Sequence, residues 1–265
     1  MIRLLTAALL TLLSAHASAS EMRLAVTTSF HNSGLADVLL PAIRRDLGLD
    51  VQLLVVGSGQ ALRLARAGDV DAVLAHARAA EEALVRDGHA THRRPIMANH
   101  FVLVGPVADP AGLKQASDAK DAFRWIAQAR APFVSRGDDS GTHRKEMALW
   151  ADASVVPEGA WYRSVGSGMG AALNTAAAMD ATILSDRATW LTFKNPRGLA
   201  ILFEGDPALL NQYAYLPVNP ALHPHVKAAE AQALEDWLAG PRGQSAIGAY
   251  RLEGVPLFTP NATPR

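Results

Sequence analysis

Residues 133–142 read FVSRGDDSGT, a short apolar run that breaks into hydroxyl, charged and glycine residues and leads directly into a helix-forming segment. The same succession occurs at residues 24–29 (LAVTTS) and 54–59 (LVVGSG), and a weaker copy lies at 165–170 (VGSGMG). The first N–H groups of a helix have no partner within it and carry about half a positive charge. Hydroxyls and glycines at such ends let an anion approach closely. Several such turns predict a site for a small oxyanion held mainly by neutral donors.

Around these turns, strands and helices alternate along the first third of the chain. The hydrophobic pattern predicts strands at 22–27, 51–56 and 71–75 and helices at 33–46, 60–67 and 79–86. Strand–helix alternation of this kind is typical of a parallel sheet that is covered by helices on both faces.

The middle of the chain predicts a second unit of the same kind. It comprises strands at 96–104, 132–135, 182–184 and 199–203 and helices at 118–129, 142–151, 169–179 and 187–193. A strand at 212–218 and helices at 224–239 and 244–250 follow. We expect these last helices to return to the first unit.

The predicted fold is therefore α/β, with two αβ lobes joined by two crossover segments, near 100–105 and 211–219. We assign residues 22–103 and 205–265 to lobe 1 and residues 104–204 to lobe 2. In such folds ligands bind at the carboxyl ends of strands and in crevices between lobes.

Composition excludes some partner classes. Hydrophobic residues make up 49% and charged residues 19% of the chain, so it can bury a substantial core. The 25 basic and 25 acidic residues balance, which argues against nucleic acid or an anionic membrane surface as a partner. We expect a monomer.

The first 19 residues have the pattern of a cleaved signal peptide. Arg3 provides a basic start, residues 4–13 are largely apolar, and small residues at 15–20 offer cleavage sites after Ala17 or Ala19. The chain contains no cysteine, so we expect neither a disulfide nor a lipid anchor. This combination predicts a freely soluble protein of a bacterial periplasm.

Several sequence blocks, in one order, match a known family. They include the TTS turn at 27–29, VGSGQAL at 56–62, GDVDAVLAHA at 68–77, SRGDDSGTH at 135–143 and SDR at 185–187. From about residue 24 to about residue 260, the chain resembles the periplasmic tungstate-binding proteins of ABC transporters. That resemblance implies the type II periplasmic binding protein fold.

The resemblance further implies a two-lobed clamp that closes on tungstate and delivers it to a membrane permease. It implies no enzymatic activity, no cofactor and no bound metal cation. Matched to the family motifs, the ligand-binding residues are expected to be Thr27, Thr28, Ser29, Ser58, Arg136 and Thr142. The chain departs from the family pattern at Val26, Phe30 and Asn32, where a threonine, a small polar residue and an acid are common. We expect Val26 to face the core.

Arg136 is also favoured by its own chemistry. A guanidinium presents planar donors that suit a tetrahedral oxyanion. The neighbouring Asp138 and Asp139 would repel a dianion directly, so we expect them to cap the following helix and orient Arg136.

Two alternatives remain open at this level. The same fold could hold molybdate, phosphate or sulfate, because cavity size and donor number are not readable from sequence. A more distant alternative is an exported serine hydrolase, although the sequence contains no Gly-Xaa-Ser-Xaa-Gly motif after a strand. His89 and His92 have a metal-like spacing without a supporting acid or cysteine, which favours a solvated loop.

Overall fold

The computed structural model describes residues 20–252 and 254–263. The predicted signal peptide, residues 1–19, lies outside the described residues. Within those ranges, no helix is both long enough and apolar enough to cross a membrane.

The first part of the chain alternates strands and helices as predicted. Its elements are β1 (Ser20–Thr27), α1 (Thr28–Asn32), α2 (Leu35–Leu47), β2 (Leu49–Val56), α3 (Ser58–Ala67), β3 (Ala72–Ala75), α4 (Arg78–Arg86) and β4 (Arg94–Pro106). The short helix α1 has no counterpart among the predicted elements. Gly34, with a φ of 76°, turns the chain between α1 and α2, in a conformation that glycine adopts without strain.

The remainder of the chain forms a second αβ unit and then returns to the first one. Its elements are α5 (Ala119–Ala129), β5 (Phe133–Ser135), α6 (Gly141–Asp152), β6 (Tyr162–Ser164), α7 (Met169–Met179), β7 (Thr182–Asp186), α8 (Arg187–Thr192), β8 (Leu199–Phe203), β9 (Leu210–Pro217), α9 (Ala228–Ala239), α10 (Pro241–Ala249), β10 (Arg251–Leu252), β11 (Val255–Pro256) and β12 (Thr259–Pro260).

The beginnings of the last two long helices differ from the prediction. Helix α9 begins at Ala228 rather than at residue 224, because the preceding turn is held as a loop against the sheet. There the Lys227 N–H donates to Asp71 Oδ1 at 2.8 Å, and His225 Nε2 lies 2.8 Å from the Gly68 carbonyl oxygen. Helix α10 begins at Pro241 rather than at residue 244, since proline suits the first helical position, where no N–H partner is needed.

Strand β4 connects the two halves of the ten-stranded sheet that the described residues form. Its residues 94–100 pair with β9 in the half that contains β1, β2 and β3. Its residues 101–104 pair with β7 in the other half, where β5 lies between β7 and β6. We call these halves the first lobe and the second lobe. The predicted α/β class is confirmed, and the pairing of β4 changes within the segment expected to cross between lobes. The exact lobe limits stay a prediction.

Both faces of each half of the sheet are buried. In the first lobe Leu24 and Val26 pack on one face with α2 and α9, whereas Ala25 packs on the other with α3 and α4. In the second lobe, Phe101 and Leu103 of β4 belong to the core under α5 and α6, and Val102 and Val104 to the core under α7. Side chains alternate across a strand, so a near-continuous apolar run is what a sheet covered on both faces requires.

A buried polar network ties the crossover strands to the second lobe. Asp186, at the end of β7, accepts hydrogen bonds from Asn99 of β4 at 2.8 Å and from Asn211 of β9 at 3.1 Å. Its other oxygen accepts from the N–H groups of Ala188 and Thr189 at the start of α8. The Asn211 amide also donates to Asn99 Oδ1 at 2.7 Å. One carboxylate thus joins both crossover strands to α8.

Replacement of Asp186 by alanine should destabilise the protein. The substitution removes a buried carboxylate that accepts four hydrogen bonds, and each donor left unsatisfied costs roughly 1–3 kcal/mol. We expect a loss of at least about 3 kcal/mol in the free energy of unfolding, measured by urea denaturation. Asp69→Ala, at an exposed position, is the matched control and should change it by less than about 0.5 kcal/mol. Equal midpoints for the two variants would contradict a joining role for Asp186.

Candidate ligand-binding cleft

A cleft of about 550 Å³ lies between the lobes, where strands β1, β2, β3, β5 and β7 end. This is the position at which open α/β sheets bind ligands. All six residues predicted from the sequence line it: Thr27, Thr28, Ser29, Ser58, Arg136 and Thr142. The first four come from the first lobe and the last two from the second. The structure therefore brings the predicted residues together, while their contact with a ligand stays a prediction.

Five of the described helices begin at this cleft: α1, α3, α6, α7 and α8. Side chains cap three of them: the N–H of Phe30 donates to Thr27 Oγ1 and that of His143 to Ser140 Oγ, each at 3.3 Å, and Asp186 caps α8 as described above. No side chain caps α3 or α7, which follow Gly57 and Gly168. The first N–H groups of α3 and α7 thus keep their capacity to bind an anion.

Three buried polar atoms on the cleft have no hydrogen-bond partner in the described part of the chain. They are Ser58 Oγ, His76 Nδ1 and Arg136 Nε. Buried polar groups are almost always paired, so each such atom requires an explanation. Five further buried polar atoms in the described residues also lack a partner, but these three line one cavity and come from both lobes, so one hydrogen-bonding ligand could reach all of them. Ser58 and Arg136 are among the predicted ligand-binding residues, whereas His76 is part of the matched block 68–77 without being one of them.

Asp138 fixes the direction of the Arg136 side chain. Arg136 Nη2 donates to Asp138 Oδ2 at 2.5 Å, and the other Asp138 oxygen accepts from the Ser140 N–H at 3.2 Å. Burial raises the pKa of Asp138, but the bonds from Ser140 and the charge of Arg136 outweigh it, so the pKa is lowered. Asp138 is therefore ionised at neutral pH and orients Arg136 as expected. Ser140, rather than either aspartate, caps α6.

The Ser29 hydroxyl is the centre of a small network. Its Oγ lies 3.0 Å from Thr27 Oγ1, 2.8 Å from the Tyr213 hydroxyl and 3.2 Å from His76 Nε2. A hydroxyl carries one proton, so Ser29 can donate in only one of these directions at a time. The first donor turn is thus held by His76, which directly follows β3, and by Tyr213 of β9.

His76 is neutral at physiological pH. Its enclosure away from water is the largest cause that lowers its pKa, the positive charge of Arg136 adds to it, and the neighbouring Asn211 opposes it. The pKa falls from 6.5 to about 4. A neutral imidazole both donates and accepts, which lets it bridge two polar groups.

The two lobes approach each other closely at Gly141. A Cβ atom at this position would lie 2.9 Å from His76 Cε1 and 3.0 Å from Ser58 Oγ, both in the opposite lobe. Such distances are too short for an ordinary side chain, so glycine permits this contact between the first turn of α6 and the first lobe.

The acidic residues on the cleft are engaged by protein donors. Asp139 forms a two-bond pair with Arg144, at 2.8 and 2.9 Å, and Asp186 accepts the four bonds described above. Within residues 20–252 and 254–263, no group of three or more histidine, cysteine or acidic side chains could hold a metal ion. The lining therefore offers donors more readily than acceptors.

Glu146 is a buried acid beneath the loop that carries Arg136. It lies on α6 with 1% of its surface exposed. The Tyr162 hydroxyl and Trp150 Nε1 donate to its Oε1 at 2.8 and 3.2 Å. Burial raises its pKa from 4.5 to about 7, against the effect of these hydrogen bonds, and the charge of Asp138 raises it further.

The sequence matches a known protein family. The model of the PBP superfamily domain matches residues 14–242. A tungstate-binding protein, TupA, from Peptoclostridium acidaminophilum is 46% identical over 243 residues, which are 90% of this chain and 85% of that protein.

Two solved structures are similar in sequence and in shape. The tungstate-binding protein TupA from Desulfovibrio alaskensis G20 is 42% identical with a TM-score of 0.82, covering 92% of this chain and all of that one (100%). A structure described as the tungstate ABC transporter from Geobacter sulfurreducens is 44% identical with a TM-score of 0.80, covering 87% and 98% of the two chains.

Substitution of Glu146 by glutamine should make stability less dependent on pH. The folded state favours the protonated form of Glu146. The contribution of Glu146 to the free energy of unfolding is therefore greatest below pH 4.5 and falls as pH rises towards about 7. Glutamine keeps an acceptor oxygen but cannot ionise. We expect the stability of Glu146→Gln relative to the wild type to rise by about 2–3 kcal/mol between pH 5 and pH 8. Urea denaturation at both pH values measures it.

The exposed Glu158 provides the control, because Glu158→Gln should show no such rise. If the difference in free energy of unfolding between Glu146→Gln and the wild type is the same at the two pH values, the pKa of Glu146 is not raised.

Proposed function

This chain belongs to the family of tungstate-binding proteins of ABC transporters, within the PBP superfamily, and we propose that it captures tungstate in the interlobe cleft for delivery to a membrane permease. The observation that carries this proposal is the set of unpartnered polar atoms, Ser58 Oγ, His76 Nδ1 and Arg136 Nε, on one cavity. An oxyanion has acceptor oxygens in several directions and can meet donors from both lobes at once.

The donors present are sufficient for tight binding. A hydrogen bond to a charged group contributes roughly 1.5–3 kcal/mol net. Six such bonds, from the Arg136 side chain, the hydroxyls of Ser58, Thr28 and Thr142 and the N–H groups that begin α3 and α7, would total about 9–18 kcal/mol. A nanomolar complex needs about 12 kcal/mol, so the donor set is adequate after the cost of closure.

Binding is coupled to closure because the donors lie on opposite lobes. Ser58 and the Thr27–Ser29 turn belong to the first lobe, whereas Arg136 and Thr142 belong to the second. An anion that contacts both sets is bound more tightly in the closed form, so it shifts the protein towards that form. The permease would distinguish the closed, loaded protein from the open one.

Location and assembly form part of the same proposal. The signal-peptide pattern of residues 1–19 and the tungstate-transport family support a periplasmic protein whose signal is cleaved. The balanced charge supports a protein that does not bind nucleic acid, and a monomeric clamp suffices for the activity.

The hydrolase alternative is not favoured. Ser29 and His76 are within hydrogen-bond distance, at 3.2 Å, which is the first requirement of a nucleophile and its base. However, His76 Nδ1 has no carboxylate partner within the described chain, and a pKa of about 4 makes the ring a weak base. The related proteins above are described as tungstate-binding proteins or as a tungstate ABC transporter.

The proposal is tested by calorimetric titration of the chain with tungstate, molybdate, sulfate and phosphate. We expect tungstate to bind most tightly and Arg136→Ala to weaken it by about 30- to 150-fold, since a charge-assisted contact of about 2–3 kcal/mol is lost. Arg124→Ala, which changes a surface pair with Asp121, is the control and should bind as the wild type does. No heat of binding with tungstate, or equal affinity in Arg136→Ala, would contradict the proposal.

Ser58→Ala should weaken tungstate binding without lowering the stability of the fold. The Ser58 hydroxyl is buried without a partner, so its removal should leave the unliganded melting temperature unchanged or slightly raised. Tungstate affinity should nevertheless fall by about tenfold, the equivalent of one hydrogen bond of about 1.4 kcal/mol. Thermal unfolding without ligand and calorimetry with it measure the two effects. A lower melting temperature with unchanged affinity would show that Ser58 serves the fold and not the ligand.

A further inference from the structure

His76 occupies a position shared by both halves of the cleft. Through Nε2 it contacts the Ser29 hydroxyl at 3.2 Å, and its ring packs against Tyr213 with 4.7 Å between ring centroids. Tyr213 contacts the same Ser29 oxygen through its own hydroxyl at 2.8 Å. Two rings, one directly after β3 and one in β9, thus hold one hydroxyl of the first donor turn.

The other edge of the ring faces the second lobe. His76 Cε1 and Nδ1 would lie 2.9 and 3.2 Å from a Cβ atom at Gly141, the first residue of α6. That Nδ1 is buried without a partner. The ring therefore touches the first donor turn on one side and the N-terminus of α6, which carries Thr142, on the other.

Resting on the function proposed above, we propose that His76 is a positioning residue for the bound oxyanion. It holds Ser29 through Nε2, and it provides the surface on which Gly141 rests when the lobes close. The first donor turn and the donors of α6 are then set at a fixed separation across the anion. The Nε2 hydrogen bond of His76 acts on the anion through Ser29, so the affinity that this bond contributes depends on the Ser29 hydroxyl.

Conservative substitutions distinguish this role from general packing. In His76→Gln the side-chain amide can reach the place of Nε2, whereas in His76→Asn it reaches only the place of Nδ1. His76→Leu fills the space without hydrogen bonding. We expect tungstate affinity, measured by calorimetry at pH 7.5, to fall by about tenfold in His76→Leu and His76→Asn and by less than about threefold in His76→Gln. His31→Leu, at an exposed position on α1 outside the cleft, is the control and should bind normally.

A double-mutant cycle with Ser29→Ala tests the dependence on Ser29. If His76 acts through that hydroxyl, His76→Asn should cause little further loss in the Ser29→Ala background. Melting temperatures without ligand establish that each variant folds. If His76→Leu does not fold, the comparison of His76→Gln with His76→Asn is decisive.

Two results would overturn the proposal, provided that the wild type binds tungstate. The first is equal tungstate affinity in His76→Gln and His76→Asn. The second is a double-mutant cycle in which the losses of affinity from His76→Asn and Ser29→Ala are additive. Failure of the wild type to bind tungstate would instead remove the proposed function, and the role of His76 with it.

Discussion

A buried polar atom without a hydrogen-bond partner costs about 1–3 kcal/mol, and three such atoms line the cleft of this protein. Ser58, His76 and Arg136 follow three different strands, β2, β3 and β5, in two lobes. Packing of a single loop cannot account for all of them. A tetrahedral anion can satisfy donors from opposite walls at once, so the unmet bonds of the protein and the acceptors of the ligand are complementary. The proposed preference for a closed, loaded state rests on this complementarity.

The fold serves this arrangement by bringing strand ends to one place. Parallel strands in each lobe end at the cleft. Helices α3, α6 and α7 begin there, so their first N–H groups lie at the cleft. Asp186, which also lines the cleft, holds both crossover strands to α8. Gly141 permits a close contact between the lobes. In the proposed mechanism, closure of the lobes sets the separation between the two sets of donors.

Much of this architecture was predictable, because local patterns determine it. The apolar runs that end in hydroxyls and glycines predicted the strand-to-helix turns, and Val26 is buried as expected. Helix α1 was missed, since five residues are too few for a periodic signal. Glu146 was missed, and the contacts of His76, which lies in the matched block 68–77, were not predicted, because their roles arise from contacts between distant segments. A weak signal for Glu146 existed, because an acid there shares a helix face with the buried Leu149 and Trp150.

X-ray diffraction from crystals grown with tungstate can locate the bound ion directly through the anomalous scattering of tungsten. We expect one tungsten position in the interlobe cleft, with oxyanion oxygens within hydrogen-bond distance of Ser58 Oγ and the Arg136 guanidinium. A tungsten position outside this cleft, or a closed cleft in which Ser58 and Arg136 stay unpaired beside the ion, would contradict this expectation.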